Sequence, residues 1–264
     1  MHIIERFGDA WASAEVLPTL DGTQDLGAGP VRSPLVAVPG GAYDAAGADR
    51  VRRQAERIVV RGTWVAASAA ALEAKIAALR ALVGLRSKLW RSNGAAQHWR
   101  YARLLQVEAP VQAALGRWAE ARLDFEALPG PWQGTAHDLT VPMDGLPKTI
   151  NMANGGNAPV SNVILTLTAG AVAITSVGIG MTGKSYFRWT GSLGAGKALV
   201  IDCGARSVRL AGVNAYAGFA LGASHTIDDW LRLEPGSNPV IVGLSGGGSL
   251  ADATLRYQYA DGHA

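Results

Sequence analysis

The chain has 264 residues, 48% of them hydrophobic and 17% charged, with a formal charge of +3. This is a globular composition, long enough for one large or two ordinary domains, and it excludes a disordered chain. The single cysteine excludes an intrachain disulfide, the five scattered histidines make no zinc pattern, no apolar run approaches the ~20 residues of a membrane span, and so small a charge does not by itself argue for nucleic acid.

From the N-terminus, Met1-His2-Ile3-Ile4-Glu5-Arg6 does not read as a signal peptide. The stretch Thr19 to Arg50, rich in Gly, Pro and Asp, reads as a long loop or arm. Such a segment is unusual in a compact domain and points to function or to packing on a neighbour. Arg50, Arg52, Arg53, Arg57 and Arg61 form its basic end, which fits a solvated or subunit-facing ribbon balanced by Asp49 and Glu56 better than a nucleic-acid contact. Arg57 to Trp64 alternates as a strand, with Ile58, Val60 and Trp64 on one side and Arg57, Val59, Arg61 and Thr63 on the other.

A helix follows. Ser68 can cap it, Leu72, Ile76, Leu79 and Leu82/Val83 recur at helical spacing, and Gly84 is placed to end it, which predicts a helix over 68–84. Next comes a second basic set, Arg86, Lys88, Arg91, Arg100 and Arg103, interleaved with Trp90, Trp99 and Tyr101 around an Asn93-Gly94 turn. Basic and aromatic residues together could stack on bases, but at strand positions they read better as cross-strand pairs of a hairpin. His98 to Glu108 is a mixed strand, and Trp118 to Ala127 alternates cleanly.

Pro129-Gly130-Pro131, Pro142, Gly145 and Pro147 break the chain. Charge falls from 16 Lys+Arg and 14 Asp+Glu through Val141 to 8 and 7 beyond it. The expected division is 1–141, a β-domain with one packed helix, and 142–264, an antiparallel β-sandwich. In the second part the candidate strands are Asn162–Thr168, Val172–Val177, Tyr186–Thr190, Ala198–Cys203, Ser207–Leu210, Thr226–Ile227, Trp230–Leu233, Val240–Leu244 and Thr254–Tyr259. Between Trp230–Leu233 and Val240–Leu244, Pro235-Gly236 supplies a turn and Asn238 can take a left-handed corner. Gly246-Gly247-Gly248 reads as a loop tip, and Cys203 as an inert buried thiol.

One stretch imitates an enzyme. Gly178-Ile179-Gly180-Met181-Thr182-Gly183-Lys184-Ser185 fits the phosphate-binding pattern G-x-x-x-x-G-K-[ST], and Ala198-Leu199-Val200-Ile201-Asp202 resembles the metal-side strand of such ATPases. A phosphate cradle needs a helix immediately afterwards. Here Tyr186-Phe187-Arg188-Trp189-Thr190-Gly191 follows, aromatic and broken by glycine, and Asp202 comes too soon for a crossover. A Gly-rich β-turn is the reading these residues support.

Taken in order, several motifs resemble the distal tail proteins of long-tailed bacteriophages, which join the tail tube to the tip or baseplate. In the first half they are Ile58-Val59-Val60-Arg61-Gly62-Thr63-Trp64, the helix from Leu72 to Leu82, Ala102-Arg103-Leu104, and Ala121 to Glu126 before Pro131-Trp132. In the second they are Asn154-Gly155-Gly156-Asn157-Ala158-Pro159, Gly194 to Asp202, and Trp230 to Asn238. The resemblance implies a mainly β protein: an N-terminal ring-forming domain related to tail-tube folds and a C-terminal galectin-like sandwich. It implies a non-enzymatic siphovirus virion subunit, a homohexameric ring whose lumen passes DNA. The implied partners are a tail tube protein and a tail tip, hub or fibre protein, with assembly in the host cytoplasm. No catalytic, cofactor-binding or metal residue is expected, nor specific nucleic-acid recognition or a membrane anchor. The absence of a large extra module argues against direct receptor binding by this subunit. Two other readings remain, a carbohydrate-binding sandwich using Tyr186, Trp189 and Trp230, and a P-loop NTPase. Those aromatics are expected in the core, since large rings mostly bury.

Overall fold

The computed structural model describes residues 3–8, 11–12, 16–25, 35–38, 41–44, 55–92, 96–109, 117–128, 130–223, 225, 229–250 and 252–264. Contacts divide the chain into Met1–Trp132 and Gln133–Ala264, a boundary just inside the strand Trp132–Pro142.

The first unit contains β1 (Ile3–Phe7), β2 (Trp11–Ala12), β3 (Val16–Asp25), β4 (Leu35–Val38), β5 (Gly41–Asp44), β6 (Glu56–Val65), α1 (Ala69–Arg80), β7 (Arg86–Ser92), β8 (Gln97–Glu108) and β9 (Trp118–Ala127). Its antiparallel sheet runs β3-β6-β9-β8-β7-β1-β2. The expected arm is therefore corrected at its start: residues 16–25 are a strand on β6, not a loop. Pro18 is tolerated there because, among the described strands, β3 has no partner on its other side. Further on, β4 and β5 form a hairpin that pairs only with itself among the described residues. The rest of the arm, with Asp49, Arg50, Arg52 and Arg53, lies outside them.

Period-two patterning puts Ile58, Val60, Trp64, Leu104, Leu123 and Phe125 on one face of this sheet, all buried, and α1 packs there through Leu72, Ile76 and Leu79. Each such side chain contributes roughly 1.5–3 kcal/mol by leaving water. Ser68 accepts a hydrogen bond from the Ala71 amide at 3.2 Å, as an N-cap should. The helix ends at Arg80, short of the predicted Gly84. Residues 81–84 tighten into turns closed by Leu82 N–H to Leu79 and Val83 N–H to Arg80, and the Gly84 amide leaves the helix for the Leu104 carbonyl at 2.8 Å.

On the opposite face, Asp124 is buried and held by two arginines. Arg57 donates to it from β6, and Arg122 donates from the same strand at 2.9 Å. Burial alone would raise the Asp124 pKa, but the hydrogen bonds and charges of Arg57 and Arg122 outweigh it and hold the carboxyl below its ordinary value.

The second unit begins within β10 (Trp132–Pro142) and continues with β11 (Lys148–Asn151), β12 (Ile164–Thr168), β13 (Ile174–Met181), β14 (Lys184–Leu193), β15 (Ala198–Asp202), β16 (Ser207–Leu210), β17 (Val213–Asn214), β18 (Phe219–Leu221), β19 (Pro239–Gly246) and β20 (Thr254–His263). Two antiparallel sheets, β17-β16-β15-β12-β20-β10 and β11-β19-β13-β14-β18, enclose one core. Leu165, Leu167, Leu199, Ile201, Leu255 and Tyr257 come from the first sheet, and Val177, Ile179, Phe187, Trp189, Val240 and Val242 from the second. Trp230–Leu233 is not a strand: Leu231 and Leu233 are buried, but only Leu233 pairs, with Val160. Thr226–Ile227 lies outside the described residues.

The Asp124 linkage has a definite sign. A depressed folded pKa contributes stability above the ordinary carboxylate range, near 3.9, and loses it as pH falls through the folded value. Asp124→Asn should therefore cost about 1.5–3 kcal/mol at pH 7, the usual worth of hydrogen bonds to a charged group, since Arg57 and Arg122 are left partly in water. In urea titrations the gap between wild type and variant should close as pH falls from about 5 towards 2; a gap independent of pH would refute this account.

Candidate functional site

The phosphate-loop lookalike is a β-hairpin. Gly178 to Met181 close β13 and Lys184 opens β14, with Gly178 paired to Arg188, Gly180 to Ser185 and Met181 to Lys184. Thr182-Gly183 is the turn, and Gly183 takes φ +79, a conformation that a side chain would oppose. The amides that would cradle a phosphate are therefore spent on strand pairing, and no helix follows. Lys184 lies over the ring of Tyr186 at 4.7 Å. The candidate metal-side Asp202 is on the other sheet, where it accepts the Ala205 amide at 2.8 Å to close a turn.

Tyr186, Trp189 and Trp230 are all buried, as their size suggested. Trp189 Nε1 donates to the Ala215 carbonyl at 3.2 Å, and Trp230 stacks on Phe219 with ring centres 4.7 Å apart. None presents a sugar platform. Cys203 is buried, and burial pushes its thiol up to about 12, so it stays protonated and inert at neutral pH. Among the described residues, no group of three or more His, Cys, Asp or Glu converges on a metal-sized site, and no helix is long and apolar enough to cross a membrane.

Three motifs far apart in sequence meet at one clasp. Asn154 is buried; its Nδ2 donates to the Ala158 carbonyl at 2.9 Å, and its Oδ1 accepts the Gly156 and Gly262 amides at 3.1 and 3.0 Å. Its backbone pairs with Gly236. Asp261 Oδ1 accepts the Gly155 amide at 2.8 Å and meets His137 Nε2 at 2.9 Å. Asn238 does not take the left-handed corner expected of it; Gly236 does, with φ +94, while the Asn238 amide spans the turn to Glu234 and Gly236. The motifs Asn154 to Pro159 and Trp230 to Asn238 are thus parts of one closure.

The second basic set is sorted by strand alternation. Arg91 and Arg100 point inward and are buried over Trp132, with Arg100 also paired to Glu56 at 2.7 Å. Glu56 is therefore not the counter-charge of the arginine ribbon, because strand pairing turns it towards Arg100. Arg86, Lys88, Trp90, Trp99 and Tyr101 share the outer face, in the register Lys88 opposite Tyr101 and Trp90 opposite Trp99. The Asn93-Gly94 turn joining them is outside the described residues. Arg6, which sequence reading did not single out, joins them from β1, stacked 4.1 Å over Trp90. Its only signal was an arginine on a short apolar strand.

With this geometry in hand, the likeness to known proteins is informative. Residues 155–260 match the model of the siphovirus-type tail component, C-terminal domain, a family represented by phage SPP1. The matched residues lie within the second unit, which is thus similar to that tail component domain over most of its length. The fold of the whole chain is similar to that of the distal tail protein of phage SPP1, with a TM-score of 0.63 over 98% of each chain at 10% identity. Two structures of the phage p2 baseplate match with TM-scores of 0.45 and 0.44, at 8% and 9% identity over 96% of this chain and 94% of theirs. No curated protein sequence matches. The resemblance read from the motifs is borne out, and so is the mainly β fold class. The matched residues include the hairpin that imitates a phosphate loop, and the clasp residues Asn154 and Asp261 stand just outside their two ends.

Two substitutions separate these roles. Lys184→Ala should leave stability within about 0.5 kcal/mol of wild type, as for a surface turn residue, and neither protein should bind ATP in a calorimetric titration. Asn154→Ala strands buried amides and a carbonyl and should cost about 2–4 kcal/mol in chemical denaturation, since each unmet buried group costs about 1–3. ATP binding that Lys184→Ala abolishes, or an undiminished stability in Asn154→Ala, would contradict these assignments.

Proposed function

We propose that the protein is a structural subunit at the distal end of a siphovirus tail. In this reading it forms a hexameric ring that joins the tail tube to the tip or baseplate and lets DNA pass during ejection. The observation that carries it is the tail component domain at residues 155–260, set within a chain that shares the fold of the SPP1 distal tail protein along almost its entire length. That protein is described as a paradigm of the hub adsorption apparatus in phages infecting Gram-positive bacteria. The role is architectural: the one motif with catalytic spelling is spent on a hairpin, and the sandwich aromatics are spent on the core. Its partners are then other copies of itself, a tail tube protein on one side and a tip, hub or fibre protein on the other, and its place is the virion, after assembly in the host cytoplasm. In this reading the two units have separate tasks, and the first closes the ring. A closed ring needs a head-to-tail interface repeated around one axis.

The segment between β3 and β6 is the element we assign to that interface. Asp25 and Ile58 are cross-strand partners, so residues 27–54 leave and re-enter the sheet at one place and carry their own β4–β5 hairpin between. Replacing residues 27–54 with a short Gly/Ser linker should keep a folded, soluble monomer with native β content by circular dichroism. Wild type should form rings of about six copies in mass photometry and negative-stain images, as closed cyclic symmetry requires, and the replacement should not. Rings that persist in the replacement remove the segment from the interface, and a wild type that stays monomeric even with tail-tube protein present removes the ring itself.

A further inference from the structure

The outer face of β7, β8 and β1 carries a compact array of cations that the proposed tail role does not use. Arg6 lies 4.1 Å over the Trp90 ring, Lys88 4.1 Å over Trp99, and Arg86 4.7 Å over Tyr101. Trp99 meets Tyr101 edge-on at 5.3 Å. Arg6, Arg86, Lys88, Trp90 and Tyr101 line an open cleft of about 410 Å³. Among the described residues, none of Arg6, Arg86 and Lys88 has a carboxylate partner, and Arg6 Nε is buried without a hydrogen bond. The neighbouring charges are committed elsewhere. Arg57 and Arg122 hold Asp124, while Arg103 stands opposite Arg86 on one side and Glu126 on the other.

We propose that this face is a docking site for a partner protein that presents carboxylates at alternate positions of an extended strand. Three features select that occupant. First, the ring faces are already covered by cations, so bases or sugars could stack only by displacing them, whereas anions approach the cations directly. Second, the basic field is short and bounded by carboxylates. Proteins that hold nucleic acid through its backbone commonly neutralise about 6–10 phosphates, and the few cations described on this face, Arg6, Arg86, Lys88 and Arg103, do not make such a track. Third, Arg86 and Lys88 are two residues apart on one strand, roughly 6.7 Å, which is also the spacing of same-face side chains on a partner strand. The residue types agree: Arg, Trp and Tyr are those that dominate protein interface hot spots. Stacking on the rings fixes the long cationic side chains beforehand and lowers the ordering cost of binding.

The test uses the full chain and three fluorescent probes: an eight-residue peptide alternating glutamate and valine, the same peptide with glutamine for glutamate, and a twelve-nucleotide oligothymidylate. Fluorescence anisotropy should show saturable binding of the glutamate peptide, at least tenfold tighter than either other probe. The double variant Arg86→Gln/Lys88→Gln should weaken it at least tenfold, and Lys88→Arg should retain it. The milder Arg86→Gln, exposed in the fold, should weaken it several-fold if the double variant proves unstable. Equal binding of the two peptides, tighter binding of the oligonucleotide, no saturable peptide binding up to millimolar protein, or full binding by Arg86→Gln would each overturn the proposal. So would loss of self-assembly in a folded double variant, which would give the face to a second copy of this chain.

Discussion

The second unit depends on a few buried polar groups that finish what strand pairing cannot. Where β20 ends and the segment before β12 begins, regular ladders give way to isolated bridges at Asn154, Ala158 and Val160. Amides and carbonyls stranded there would each cost about 1–3 kcal/mol. Asn154 and Asp261 supply the missing partners from side chains, and Asn238 does the same for the neighbouring turn. Apolar side chains could fill this seam but could not satisfy it. Gly156 belongs to the same constraint, because a Cβ there would lie 1.8 Å from the Gly262 carbonyl oxygen. The seam can therefore close only with this small set of residue types.

The first unit obeys a different rule. Its sheet has one face against α1, and strand alternation decides which charges are buried and which are presented. Arg91 and Arg100 fall on odd steps relative to Lys88 and Tyr101, so they are drawn into the interior, where Trp132 and Glu56 receive them. A slip of one residue in β7 or β8 would exchange the two sets and bury the presented cations. The same alternation places Asp124 away from α1, where Arg57 and Arg122 can reach it.

Much of this was legible in the sequence, and the failures have physical causes. Arg57–Trp64 and Trp118–Ala127 announced themselves because one face is apolar and the other polar, and the helix because Leu72, Ile76 and Leu79 recur at its own period. The hairpin at Gly178 to Ser185 was legible because glycine and aromatic residues, not a helix, follow it. β10 was missed because most of its residues are partly or wholly exposed on both faces, so no alternation marks it. Trp230–Leu233 reads as a strand because it is apolar and runs into the Pro235-Gly236 turn, yet its side chains are buried by insertion into the core and not by a ladder. Thr19–Asp25 was read as loop because Gly and Asp are poor strand formers, and pairing with β6 overrides that preference. For the sites, the outer basic and aromatic residues were visible as a group, but the separation of Arg91 and Arg100 from them needed the register, and Arg6 needed the tertiary fold.

The contrast between 10% identity and a shared fold over 98% of both chains is explained by the same division. A sandwich core accepts many apolar combinations of similar volume, so most of its positions can drift. The turn at Pro235-Gly236, the Asn154 clasp and the close approach of Gly156 accept few alternatives, and these are among the stretches where the resemblance could be read. Recognition at this distance therefore rests on residues that satisfy backbone together with apolar stretches such as Ile58 to Trp64 and Leu72 to Leu82. The outer face of β7 and β8 lies under neither constraint. Cations held over partly exposed rings add little to a folded monomer, since surface charge is worth little where no partner desolvates it. Their fixed geometry matters only to a surface that meets them, which makes this face the part of the chain whose chemistry the fold alone does not account for.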